Sequence, residues 1–261
     1  MSEEKRDLRQ HPYTSIASII ADFERGAEPW TTKGKEITSY SRDVNVVRVI
    51  SPPNSLFRLE EHLLIEGVGL YDRSYAFGAE EILLLNKFST EGLSLLLEVV
   101  ISRSRELRNS QLNGKRLRQF HFYATYEQDG LVGRLFASER IAPFINEEIQ
   151  KALDYYSYHK RCMYCDIVRQ EQNESINQES RVIFSDINKE WHIGFVPFAP
   201  KHPYSVSIFP IVHAQRLTEL SDDQITHLAA RIYQSIEAVR TKTEQKINLF
   251  LYSTPYFSPK D

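Results

Sequence analysis

The stretch Trp191–Pro210, WHIGFVPFAPKHPYSVSIFP, read together with Glu219–Val239, ELSDDQITHLAARIYQSIEAV, and Ile247–Thr254, INLFLYST, decides the fold. WHIGFVPF pairs naturally with the preceding RVIF (Arg181–Phe184), and YSVSIFP is a third strand; both are rich in the β-branched and aromatic residues that suit a pleated surface. The next segment has helical periodicity. Ser221 with Gln224 three residues on has the spacing of a capping box, and Ile225, Leu228, Ile232 and Ile236 form one apolar stripe. INLFLYST then returns as a strand.

The same order occurs earlier in the chain. VNVVRVI (Val44–Ile50) and EEILLLN (Glu80–Asn86) read as strands, STEGLSLLLEVVISRSREL (Ser89–Leu107) as a helix, and RQFHFYATYE (Arg118–Glu127) as the closing strand. A repeated unit of this kind is one supersecondary block used twice. The reading is an α+β protein of two modules, residues 1–150 and 151–261, each an antiparallel sheet with a long covering helix. ERIAPFINEEIQKALDYYSYHKR (Glu139–Arg161) is a helix joining the two, and the N-terminal Ser15–Arg42 is a mixed, partly irregular approach.

Composition excludes several classes. The 261 residues are 41% hydrophobic and 26% charged with a formal net charge of -3, ordinary for a chain that buries a core. No basic face or block of like charge suggests nucleic acid, and no apolar run approaches a membrane span. MSEEKRDLRQHPY lacks the apolar centre of a signal peptide, so the expectation is a cytoplasmic protein with no membrane partner. Its two cysteines, Cys162 and Cys165 in HKRCMYCDIVRQE, are too close for a structural staple and suit metal or redox work in a reducing compartment. A Cys-x-x-Cys pair is half of a tetrahedral zinc site, which leaves two ligands to find.

YYSYHKRCMYCDIVRQE followed by WHIGFVPFAPKHPYSVSIFPIVHAQRLTELSDDQ resembles the second half of the galactose-1-phosphate uridylyltransferases, members of the histidine triad superfamily. GAEEILLL with its following helix, and DLRQHPYT near the start, resemble that family's first half. The resemblance implies two histidine-triad-like modules, in agreement with the repeat, and commonly a homodimer. It implies ping-pong chemistry in which a histidine of a His-Pro-His motif attacks the α-phosphate of UDP-glucose, and galactose-1-phosphate resolves the uridylyl-histidine. Such a step needs a neutral imidazole at near-attack distance and donors for the phosphoryl oxygens. Here the strand FHFYATYE and the glycine-containing QDGLVGR are followed by LFASERIAPFI, and no histidine lies between His121 and His159. No catalytic residue carries over. The family's early Cys-x-x-Cys and the histidine after its EEILLL strand are missing as well, since that strand runs into Asn86, Lys87 and Phe88.

For the second half, the resemblance matches the family's strand-Pro-x-x-His to SIFPIVHAQ and so names His213 as a third metal ligand beside Cys162 and Cys165. The fourth would come from a later stretch that this chain does not reach; His192, His202, a water or a partner chain are the candidates. Zinc at this centre and a vestigial thiol pair with His213 capping a strand end both fit. The missing last strand also implies an open sheet edge, for which dimerisation is one cover.

Arg25 in DFERGAEP matches an arginine near the family's nucleotide, or is a solvated loop charge. Gly130 and Gly133 can bring backbone donors to a phosphate, or simply make a turn. His121 reads as a packed strand residue, and Glu80, Glu81, Asp222 and Asp223 as helix-start and edge carboxylates. Tyr155, Tyr156, Tyr158 and Tyr164, around the cysteines, are core, dimer surface or a stacking wall. Two functions compete: a relative that has lost covalent uridylyl transfer but keeps nucleotide-sugar or sugar-phosphate binding, and a transferase or hydrolase with a different nucleophile.

Overall fold

The computed structural model describes residues 17–22, 34–52, 56–58, 77–109, 117–127, 130–141, 143–174, 180–185, 191–200, 202–214, 216–244 and 246–256. Within them the first half runs β1 (Ala17–Asp22), β2 (Lys35–Arg42), β3 (Asn45–Ser51), β4 (Leu56–Arg58), β5 (Phe77–Leu85), α1 (Thr90–Asn109), β6 (Gln119–Glu127) and β7 (Gly130–Ser138). The second runs α2 (Pro143–His159), α3 (Met163–Glu174), β8 (Val182–Ser185), β9 (His192–Phe195), β10 (Val206–Pro210), α4 (Asp222–Arg240) and β11 (Lys246–Tyr252). The antiparallel α+β order anticipated from the repeat is present in both halves.

The strands form one sheet, in the order β2-β3-β5-β7-β6-β11-β1-β10-β9-β8 with β4 beside β5. Its two halves meet where β11 pairs with β6, Leu249 opposite Ala124. The expected open edge beside the last strand does not arise, because β11 has β6 on one side and β1 on the other. β1, out of the N-terminal approach, is inserted between β11 and β10. The outer strands of the described sheet are β2, whose register slips at Ile37, and the four-residue β8, which also carries a register shift. Bulged and short edges pair poorly with other chains.

Alternation sets the core. Phe120, Phe122 and Ala124 of β6, Leu131 and Leu135 of β7, and Ile247, Leu249 and Leu251 of β11 are buried in one cluster with Leu93, Leu96 and Val100 of α1 and Leu228, Ile232 and Ile236 of α4. The two helices lie together on this face, so one continuous core runs under both halves. Phe88, 5.0 Å from Tyr233 and 4.9 Å from Tyr126, ties α4 to the first half. The α4 capping box forms as its sequence predicts: Ser221 Oγ accepts from the Gln224 N–H, and Gln224 Oε1 accepts from the Ser221 N–H.

Two sequence expectations need correction. Glu80 and Glu81 sit in the middle of β5, each with an arginine: Glu80 with Arg134 of β7, and Glu81, 4% exposed, with Arg103 of α1. Two carboxylates in a central strand are tolerated because each is paired. Gly130 and Gly133 lie within β7 rather than in the turn. A Cβ at Gly130 would stand 2.3 Å from the Leu85 carbonyl oxygen, and one at Gly133 2.3 Å from the Phe122 ring, so close packing accounts for both glycines.

Candidate metal centre and polar sheet face

The joining helix α2 ends at His159 and Lys160 adopts a left-handed backbone, φ 57°, which turns the chain so that α3 can begin at Met163. That second helix is absent from the sequence reading, which stops at the cysteines. Cys162 flanks the first turn of α3, its carbonyl accepting from the Asp166 N–H at 3.0 Å, and Cys165 lies in that turn. A three-residue spacing at a helix start puts both thiols on one side. α3 is held against the sheet by Val168, packed with Ile193 and Phe195 of β9 and Phe209 of β10, with Tyr164 and Ile167 at the margin. These contacts lie on the sheet face opposite α4. They also bring the start of α3 to the end of β10, where His213 emerges three residues past the strand.

Cys165 Sγ and His213 Nδ1 are 3.2 Å apart, and the donor atoms of Cys162, Cys165 and His213 all lie within 4.8 Å of one another. The structure thus brings together the three residues singled out as ligands. The cysteines are half-buried and His213 is exposed. Ligand lengths of ~2.3 Å for sulfur and ~2.0–2.1 Å for imidazole nitrogen put tetrahedral donors roughly 3.5–3.8 Å apart, so this set fits zinc with small adjustments. Burial, and then the neighbouring Cys162, push the Cys165 thiol up to about 11. A close dithiol that resists ionising by itself is a donor set that a divalent cation would ionise.

Of the proposed fourth ligands, His192 is fully buried on the α4 side of the sheet, stacked 5.8 Å from His227, and therefore faces away from the cysteines. His202 lies in the turn before β10, where its carbonyl accepts from Ser205. Among the described residues neither joins the cluster. Asp166, next to Cys165, has both oxygens engaged, Oδ2 by Tyr155 Oη at 2.8 Å and Arg161 at 3.1 Å, Oδ1 by Arg169 at 2.8 Å.

The face of β6 and β11 turned away from α1 and α4 is polar and aromatic. Tyr123 Oη and Thr125 Oγ1 both donate to Asn248 Oδ1, at 2.8 and 2.9 Å, and the Tyr123 and Phe250 rings are 4.6 Å apart. Arg134 stands cross-strand from Tyr123, and Tyr252 meets His121 edge-on at 6.2 Å. Burial holds His121 down to about 4 and raises Tyr252, on which nearby Glu148 of α2 acts in the same direction. Glu148 in turn accepts from Tyr164 Oη at 2.7 Å. A residue between the two cysteines therefore reaches the carboxylate that lies by the β11 tyrosine. Sequence reading missed this group, because alternating polar residues look like an ordinary half-solvated strand. Asn248, a lone amide inside INLFLYST, was the available signal.

No family model matches the chain. The galactose-1-phosphate uridylyltransferase of Haemophilus influenzae is 24% identical over 196 residues, 72% of this chain and 52% of the relative, so the chain spans about half the length of that curated relative. A solved uridylyltransferase shares the fold with a TM-score of 0.62 at 17% identity, over 92% of this chain and 82% of that one. An ADP-glucose phosphorylase from Arabidopsis thaliana, solved with ADP-glucose bound, gives 0.58 at 13% identity, over 86% and 78%. In sequence the chain is similar to a galactose-1-phosphate uridylyltransferase, and it shares the fold of solved uridylyltransferases. The span between His121 and His159 holds no histidine, and its described residues lie mostly in β6, β7 and α2. Arg25, the other residue suggested by the family, lies outside the described residues. Among the described residues no helix is long and apolar enough to cross a membrane.

Proposed function

We propose that this is a galactose-1-phosphate uridylyltransferase-like protein that does not transfer uridylyl groups through a histidine and retains binding of a nucleotide sugar or sugar phosphate. One observation carries the reading: the span from Phe122 to Tyr158, where the family's nucleophile is expected, holds no histidine. Covalent transfer through histidine requires that side chain. Binding is supported by the β6–β11 face, where the half-buried rings of Tyr123 and Phe250 offer stacking surface and the Tyr123 hydroxyl is oriented by Asn248.

In the same proposal Cys162, Cys165 and His213 hold zinc, which when bound would supply a cross-link between the start of α3 and the end of β10. The chain's own residues do the rest: Val168 and Tyr164 fix α3 on the sheet, and Glu148 holds the Tyr164 hydroxyl. We also place the protein in the cytoplasm as a homodimer of two-module chains, 1–150 and 151–261. The exposed Tyr156 and Tyr158 of α2 support a protein contact there.

The deciding experiment incubates purified protein with UDP-glucose and galactose-1-phosphate, scores UDP-galactose against a buffer blank and an active family enzyme, and measures intact mass. No turnover, no uridylyl adduct and saturable binding of UDP-glucose are expected. Turnover above the blank, or an adduct mapped to any histidine, would overturn the proposal.

A further inference from the structure

We propose that the metal held by Cys162, Cys165 and His213 keeps its fourth position open to solvent, and that this position takes an exogenous anion, of the phosphate class, steered there by Arg161 and Arg169. The inference rests on the metal reading above and adds a ligand site on the α3 side of the molecule.

Three observations lead to it. The donor cluster contains three groups among the described residues, and the two described histidines suggested for the fourth place are elsewhere: His192 is buried against His227 on the opposite face, and His202 stays in its turn. The one adjacent carboxylate, Asp166, is committed to Arg161, Arg169 and Tyr155. The cluster is reached from solvent through the exposed His213, with Val212 beside it 50% exposed. Two thiolates, one imidazole and an open place form the arrangement that leaves zinc a solvent position, whereas structural sites are closed by four protein ligands.

Charge selects the ligand. Two thiolates balance a divalent ion, so the centre itself is close to neutral. Around it Arg161 and Arg169, each 60% exposed, share the carboxylate of Asp166. One carboxylate against two guanidinium groups leaves a positive rim beside an open metal position. Guanidinium groups present paired donors that match phosphate oxygens.

The test replaces the native metal of the full chain with cobalt(II), whose d–d absorption reports coordination number and ligand exchange, and titrates inorganic phosphate. Stoichiometric cobalt with thiolate charge-transfer bands, and d–d bands that change saturably with phosphate, are the expected result. Arg161→Ala/Arg169→Ala should bind cobalt normally but need about tenfold more phosphate for the same change, a loss of ~1.4 kcal/mol. If cobalt does not bind in stoichiometric amount, the metal reading itself fails. If cobalt binds as a four-coordinate centre whose spectrum phosphate leaves unchanged, the metal reading stands and the open position is refuted. A phosphate response unaltered in the double variant would remove the arginines from the proposal.

Discussion

Substituting Gly133 by alanine separates a packing role from a ligand-binding one. The new Cβ would lie 2.3 Å from the Phe122 ring tip and 3.2 Å from the Ala124 Cβ, and Phe122, 2% exposed, has no solvent side to swing into. Overpacking a filled core costs ~1–3 kcal/mol. Stiffening the unfolded chain at this extended position returns ~0.4–1 kcal/mol. The net loss is therefore about 1–2 kcal/mol, which at ~2–4 °C per kcal/mol for a chain of this size lowers Tm by roughly 2–8 °C. The assay is urea unfolding of wild type, Gly133→Ala, Phe122→Leu and the double variant, with UDP-glucose affinity measured on each. Phe122→Leu shortens the side chain that the new methyl meets, so the double variant should be more stable than the sum of the single effects by roughly 1 kcal/mol. Affinity should be unchanged. If Gly133→Ala unfolds at the wild-type urea concentration yet binds UDP-glucose tenfold more weakly, the close-packing account is wrong and the glycine serves a ligand.

Glu81→Ala would leave Arg103 with Glu106 as its remaining ion-pair partner among the described residues; a loss of ~1–3 kcal/mol in urea unfolding is expected, with part of it recovered in a Glu81→Leu/Arg103→Leu variant. His121 binds its proton less readily when folded, about 4 against the ordinary 6.5. The unfolded chain therefore carries more protons between those values, stability falls as pH drops from 6.5 to 4, and His121→Gln should flatten that part of the stability curve. Cys162→Ser should lower both zinc content by elemental analysis and Tm; an unchanged pair of values would leave the cysteines as a vestigial dithiol.

Local signals carried most elements. The Ser221–Gln224 capping box and the Ile225–Ile236 stripe located α4, and alternation located β6 and β11. The metal residues were found through the likeness of SIFPIVHAQ and the cysteine spacing, and the fold joins them because α3 packs on β9 and β10. What could not be read is what depends on distant partners. Nothing local in INLFLYST says that β6 lies beside it, so the single sheet, the internal position of β11 and the Tyr123–Asn248 network were hidden. Glu81 looked solvated because its partner Arg103 is on a helix 22 positions away. The glycines of QDGLVGR looked like a turn because Phe122 and Leu85, which exclude side chains there, belong to other strands.

β1 lies between β11 and β10, with Ile19 in register with both Leu249 and Val206. On a ribosome adding ~5–20 residues per second, the strand made near the start must wait roughly ten to fifty seconds for its neighbours to be synthesised. During that interval β6 also offers an unpaired flank, since its second neighbour is β11. The seam between the halves therefore closes only once β11 has been made, so the first half cannot complete its sheet before most of the second exists.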